Sequence, residues 1–175
     1  MSPGDPGGRR RIAAFVAAGV LLCAPGTAVR SDGPGPLPLP LEALDGREVV
    51  LRPGAAVLHV VFFATWCPPC VDEMKGLADL ESDWVGRGYR LFLVAVPTRQ
   101  TRERLQAFVR SSSPPGEVLF DRGGLATRAF GAERLPLHVV LDAKGAVVLR
   151  SESLADEVGS TVAGLLGGPR RGTPR

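Results

Sequence analysis

An unbroken apolar run from Val57 to Phe63, interrupted only by His59, predicts a strand buried on both faces. A second run, Tyr89 to Val96, is broken only at Arg90 and stopped by Pro97. Between them Met74, Leu77, Ala78, Trp84 and Val85 recur at helical spacing. Strand, helix, strand in that order predicts a right-handed parallel unit. Leu105, Phe108 and Val109 mark a second helix begun near Thr101, and Gly124 to Phe130 a short third one closed by Gly131. Leu137 to Leu141 and Ala146 to Leu149 flank Asp142-Ala143-Lys144-Gly145, a hairpin turn, and Leu41 to Leu51 holds another turn at Asp45-Gly46. A last helix is expected from Ser153, with Asp156 completing a capping box and Leu154, Val158, Val162, Leu165 and Leu166 turned inward. The predicted class is α/β, a mixed central sheet with helices on both faces and an N-terminal β-hairpin extension.

The ends of the chain follow a different pattern. Arg9, Arg10 and Arg11 precede thirteen uncharged residues, Ile12 to Ala24, and then small residues at Gly26 and Ala28. Basic start, apolar middle and small-residue end describe a secretory signal over 1–28. The alternative is an uncleaved membrane anchor, since the apolar character reaches Val29 if Pro25 and Gly26 are tolerated. Residues 29–40, with Pro34, Pro36, Pro38 and Pro40, read as an extended linker. The domain is expected over 41–166, and 167–175 reads as a frayed tail. The net charge of +3 leans on these ends: without 1–28 the chain keeps 18 basic and 17 acidic residues. No nucleic-acid-binding surface is indicated.

Export bears on the sulfur chemistry. Of three cysteines, Cys23 lies in the signal segment, with the bulky Leu22 before it arguing against lipoprotein processing. Cys67 and Cys70 remain, and in an oxidising compartment they have only each other. They stand in Trp66-Cys67-Pro68-Pro69-Cys70, between a strand that closes at Phe63 and the start of a helix. In such a sheet, chemistry gathers at the carboxyl ends of parallel strands. A sulfur at a helix amino terminus meets unpaired N–H groups and a favourable dipole, so its thiolate is stabilised. Cys67, at the exposed tip, is expected to attack a partner's sulfur, and Cys70, one turn in, to resolve the mixed disulfide. A static bridge over so short a loop contributes little chain entropy. A zinc site would need further ligands, and His59 and His138 are the two histidines of the chain.

With these residues in place, the chain resembles the thioredoxin superfamily, and within it the exported TlpA/ResA-like thiol–disulfide oxidoreductases. The resemblance rests on Phe62-Phe63-Ala64-Thr65-Trp66-Cys67-Pro68-Pro69-Cys70, on Glu73-Met74, and on Leu135-Pro136 followed by a strand and Asp142 to Gly145. It implies a three-layer thioredoxin-like fold and no cofactor. It makes Pro136 a cis-proline facing the cysteines, with the Leu135 backbone free to pair with a substrate strand. Trp66, Pro68 and Pro69 then border the substrate. It also makes Glu73 an acidic residue that tunes the cysteines, where the bare sequence permits a plain first-turn charge. Relatives often reduce cysteines for cytochrome c or copper-site maturation, with electrons from a membrane thiol donor.

The chain departs from relatives at several positions. Cytoplasmic-type thioredoxins carry a buried Asp six residues before the first cysteine, where this chain has Val61, so Glu73 or water must take the proton. Lys75 stands where a helix-kinking proline is common, which predicts a straighter helix. His59 is read as structural. His138 is read as a local hydrogen-bonding group, with a groove-facing role as the alternative. Two rival functions stay open: a copper-carrying or chaperone module using both thiols as ligands, and a peroxiredoxin-like peroxidase.

Overall fold

A computed structural model describes residues 33–168. Eight strands form one mixed sheet in the order β1-β8-β7-β4-β5-β6-β2-β3. They are β1 Gly33–Pro34, β2 Leu39–Ala43, β3 Glu48–Leu51, β4 Val57–Phe63, β5 Tyr89–Ala95, β6 Glu117–Phe120, β7 Leu137–Leu141 and β8 Ala146–Ser151. The helices are α1 Pro68–Asp72, α2 Met74–Trp84, α3 Arg102–Ser112, α4 Leu125–Ala129 and α5 Asp156–Leu165. β4 runs parallel to β5 and β5 to β6, while β7 is antiparallel to β4 and to β8. The hairpin of β2 and β3 joins the sheet by antiparallel pairing of β2 with β6, turned at Gly46 with φ +91°.

All seven residues of β4 are buried, because it is central and covered on both sides. Alternation sends Phe63 toward Phe108 of α3 and Phe62 toward Phe130, just past α4, with ring centroids 5.9 and 5.4 Å apart. α5 packs beside α2, with Gly159 against Leu80. Helices therefore cover both faces, as expected. Thr101 caps α3 by accepting from the Arg104 N–H at 3.3 Å, where the sequence placed the helix start.

Several expectations require correction. The linker assigned to 29–40 is built into the sheet from residue 33: β1 pairs with β8, and Leu39 and Pro40 open β2. Pro40 is tolerated because β2 bonds β6 only at Glu42 and Ala43, leaving its first half with one partner strand. The capping box at Ser153 does not form. Ser151 Oγ donates to the Ser153 carbonyl, and α5 begins at Asp156 with Asp156 and Glu157 in its first turn. The domain does not end at residue 166. Gly167 takes φ +65° and the Gly168 N–H returns to the Ala163 carbonyl at 3.1 Å, closing α5 in a Schellman turn. The helix after the cysteines is not straight despite Lys75: it breaks into α1 and α2 at Glu73. The signal or anchor segment, residues 29–32 and the tail beyond residue 168 lie outside the described residues.

β6 and its exit were not anticipated. The buried Asp121 follows β6, accepting from the N–H groups of Ala126 and Thr127 at 3.2 and 2.7 Å and from Thr127 Oγ1 at 2.6 Å. It does the capping work that Gly124 cannot. Asp121→Ala is expected to cost about 2–3 kcal/mol, read from the urea midpoint, because it strands three donors at once.

Candidate active site

β4 delivers the chain to the site. The Phe63 carbonyl accepts from the Val96 N–H at 3.0 Å, and residues 64–66 turn so that the Cys67 N–H bonds the Ala64 carbonyl at 3.1 Å. Cys67 is the N-cap of α1, with extended backbone (φ −100°, ψ 101°), and Pro68 and Pro69 open the helix. Cys67 and Cys70 are joined as a disulfide, Cα to Cα 5.3 Å. The Cys70 N–H points at Cys67 Sγ at 3.3 Å. Since both prolines lack an N–H, Cys70 supplies the first helical peptide donor available to that sulfur.

The cysteines differ in direction rather than in exposure. Cys67 is 5% exposed and Cys70 2%, so the expected protruding sulfur is corrected to one recessed in a groove. That groove, of about 420 Å³, is lined by Cys67 but not by Cys70. Trp66, Pro68, Pro69 and Leu135 border it, with Thr127 and Glu133 on the α4 side. Leu135 precedes a cis peptide to Pro136, which leads into β7. Trp66 is not core: it is 42% exposed, its indole N–H held by the Thr98 carbonyl at 2.8 Å and its ring covered by the Arg99 guanidinium at 5.1 Å. Thr65 Oγ1 donates to Gln100 Oε1 at 2.9 Å, tying the turn before the cysteines to the loop after β5.

Glu73 is not a first-turn surface charge. It stands at the junction of α1 and α2, one helical turn past Cys70, and its side chain points inward. Oε1 accepts from the Leu154 N–H and Oε2 meets His138 Nε2, both at 2.8 Å. Behind it, His138 Nδ1 lies 3.1 Å from His59 Nε2, and His59 Nδ1 lies 2.7 Å from the Tyr89 hydroxyl. Both imidazoles are wholly buried. Far apart in sequence, the two histidines are joined with Glu73 and Tyr89 into one hydrogen-bonded chain only by the fold. The available signal was register: two histidines in apolar strands, paired so that His138 stands opposite Val61 and beside His59 on one face. Among the described residues no cluster of three or more His, Cys, Asp or Glu could hold a metal ion.

Burial, and then the charge of His138, pulls the His59 pKa well below its usual 6.5. Burial, and then Glu81, pushes the Tyr89 phenol upward. His59 therefore stays neutral in the native state, while the unfolded chain binds a proton below about pH 6.5. The unfolded state gains protons as pH falls, so stability falls with it. From pH 7.5 to 5.5 this one group is expected to lower stability, seen as a falling urea midpoint of the disulfide form. A flat midpoint over that window would contradict a neutral His59.

A disulfide at the amino end of a helix, set after the central strand of a mixed sheet and facing a groove bordered by Leu135, defines a thioredoxin-like redox domain. The profile of the AhpC/TSA family matches residues 39–150, from β2 into β8, and the chain belongs to that family. Curated relatives include the thiol-disulfide oxidoreductase ResA of Halalkalibacterium halodurans, 28% identical over 110 residues (62% of this chain, 61% of that protein). The ResA of Bacillus thuringiensis subsp. konkukian is 27% identical over 107 residues, 60% of each chain. The chain thus spans about three fifths of the length of these relatives. Among solved structures, a secreted Mycobacterium tuberculosis disulfide oxidoreductase homologous to E. coli DsbE superposes with a TM-score of 0.62 at 20% identity, covering 73% of this chain and 96% of that one. The two ResA relatives support the TlpA/ResA-like branch of the thioredoxin superfamily, and the solved structure shows the shared fold.

Proposed function

We propose that the protein exchanges disulfides with exported protein substrates, as a reductant in cytochrome c or copper-site maturation. The observation that carries this reading is the asymmetry of the pair: Cys67 lines the groove and Cys70 does not. In the dithiol form the Cys67 thiolate attacks a substrate disulfide, one S–S bond forming as the other breaks. Cys70 then attacks Cys67 Sγ, the substrate leaves with two electrons, and the enzyme disulfide is restored. A partner dithiol, such as a membrane thiol donor, returns the two electrons. Trp66, Pro68, Pro69 and Leu135 form the walls against which a substrate strand lies, the buried Pro136 sets Leu135 through the cis peptide between them, and Glu73 tunes the thiols. The chain works on the extracytoplasmic side, released or held by its amino-terminal segment. Among the described residues no helix is long and apolar enough to cross a membrane.

The test is the reduction potential, measured against glutathione. A reductant is expected below about −200 mV, toward the value of roughly −270 mV typical of thioredoxin. A value near the roughly −120 mV of a strong oxidant such as DsbA would reverse the assigned direction.

A further inference from the structure

The near balance of 18 basic and 17 acidic residues beyond the first 28 hides a division of charge between segments that meet at the cysteines. Residues 68–84, which make α1, Glu73 and α2, carry five acids and one lysine. Residues 98–110, the loop after β5 and most of α3, carry four arginines and one acid, Glu103. Glu103 is held at the head of α3 by its own backbone N–H and by Thr101, and Arg102 pairs with Glu42. The remaining cations of that segment have no such counterweight.

Contacts join four arginines into one basic surface at the groove. Residues 97–100 form a tight turn, with the Gln100 N–H on the Pro97 carbonyl at 3.2 Å. Arg99 sits in that turn at φ +53°, a left-handed backbone that favours glycine. Arg104 Nη1 steadies the turn by donating to the Arg99 carbonyl at 3.1 Å. The Arg99 guanidinium lies 5.1 Å from the centre of the Trp66 ring, and Trp66 borders the groove. The strained turn thus brings a cation to the groove, where a glycine would bring none. The loop after β6 abuts the same turn: a side chain on Gly124 would come within 3.4 Å of Pro97 and 2.9 Å of Arg128 Nη1. Arg128 Nη1 donates to the Gly123 carbonyl at 3.0 Å, and Arg122, next in the chain, is exposed. Among the described residues none of Arg99, Arg104, Arg122 and Arg128 makes an ion pair.

We propose that this surface docks the substrate through a segment rich in Asp and Glu that flanks its reacting disulfide and runs past Trp66 onto the loops after β5 and β6. The surface rests on the disulfide exchange proposed above and adds the substrate's chemical class. Unpaired guanidinium groups recognise carboxylates, each able to hold one through two parallel N–H bonds. Position favours the substrate as occupant. A chain whose disulfide reaches Cys67 extends by about 3.3 Å per residue, so its flanking residues pass over Trp66 and Arg99. The acids of α1 and α2 repel such a flank from their own side, and Glu133, which lines the groove, repels it from the wall it shares with Leu135. An anionic membrane fits less well, because a flat surface laid on Arg99 and Trp66 would cover the mouth that the substrate must enter.

The test uses the full chain and synthetic disulfide peptides of one core sequence, flanked by glutamates, by glutamines or by lysines. The dithiol form is expected to reduce the glutamate peptide about tenfold faster than the lysine peptide at about 0.01 M salt, through KM. Most of that advantage is expected to vanish by about 0.15 M salt, where screening shortens to about 8 Å. Arg104→Gln combined with Arg122→Gln is expected to shrink the preference for glutamate over glutamine flanks by about threefold or more, with the Cys67 thiolate titration in place. Equal rates on all peptides overturn the docking surface. So does a uniform loss across the peptides with a displaced titration, which would mark thiol tuning instead. Capture by phosphatidylglycerol vesicles, lost in the double variant while the peptides are reduced alike, would assign the surface to a membrane and overturn it as well. Titration calorimetry of the disulfide form with the same peptides reads docking apart from turnover. Glutamate-selective binding with no peptide ever reduced sinks the exchange reading alone; reduction and binding indifferent to the flank sink the docking surface alone.

Discussion

Cys70→Ser is expected to hold partner proteins on Cys67 as mixed disulfides, whereas Cys67→Ser holds none and loses turnover by roughly a thousandfold or more. The expectation follows from reach. Cys67 borders the groove where another chain's sulfur can arrive, and Cys70 lies one helical turn behind it, able to attack Cys67 but not the partner. Removing the resolving sulfur therefore stops the reaction after its first bond, and removing the attacking sulfur stops it before. Non-reducing gels of both variants, expressed in their native compartment, separate the two outcomes. Equal capture by both would undo the assigned order. The captured partner's own cysteines would show whether a cytochrome c or a copper-site protein is served.

Phe62→Ala is expected to cost about 3–5 kcal/mol of folding free energy. Phe62 is fully buried in β4, between β5 and β7, and its ring meets Phe130 at 5.4 Å between centroids. Truncation leaves a cavity that a central strand cannot close by moving, since it is bonded on both sides. Phe130 leads directly into the segment carrying Glu133 and Leu135, so that wall of the groove loses its backing too. Urea unfolding should show a lowered midpoint with an unchanged slope. A loss under about 1 kcal/mol would mean that β4 is not the packing centre. Leu125→Ala, at a residue 46% exposed, should change stability by no more than about 0.5 kcal/mol.

Strands β4, β5, β7 and β8 and the start of α3 were legible in the sequence because local signals coincide there. Apolar runs, a stopping Pro97, a turn at Asp142 to Gly145 and a capping Thr101 agree with one another. The cysteine pair was legible for the same reason: spacing, flanking strand and following helix all point to it. What escaped depends on partners distant in the chain. Gly33 and Pro34 have no strand character of their own and are strand only because β8 lies beside them. Asp121 reads as a loop residue until α4 presents its N–H groups. Leu154 reads as part of a helix start, but its N–H goes to Glu73, 81 residues before it, and α5 begins only at Asp156. The histidine chain joins β4, β5, β7 and the α1–α2 junction, and no window of sequence contains all four.

The two prolines of the loop have a wider consequence. Pro69 stands where another residue would offer a peptide hydrogen to the Cys67 sulfur, and Pro68 holds the turn before it, so the number of backbone donors bears on the electron affinity of this couple. Restoring one such hydrogen favours the dithiol and makes the protein a better electron acceptor, while sulfur, strand and groove stay as they are. The direction of electron flow can therefore be turned from outside the reacting atoms, one backbone donor at a time.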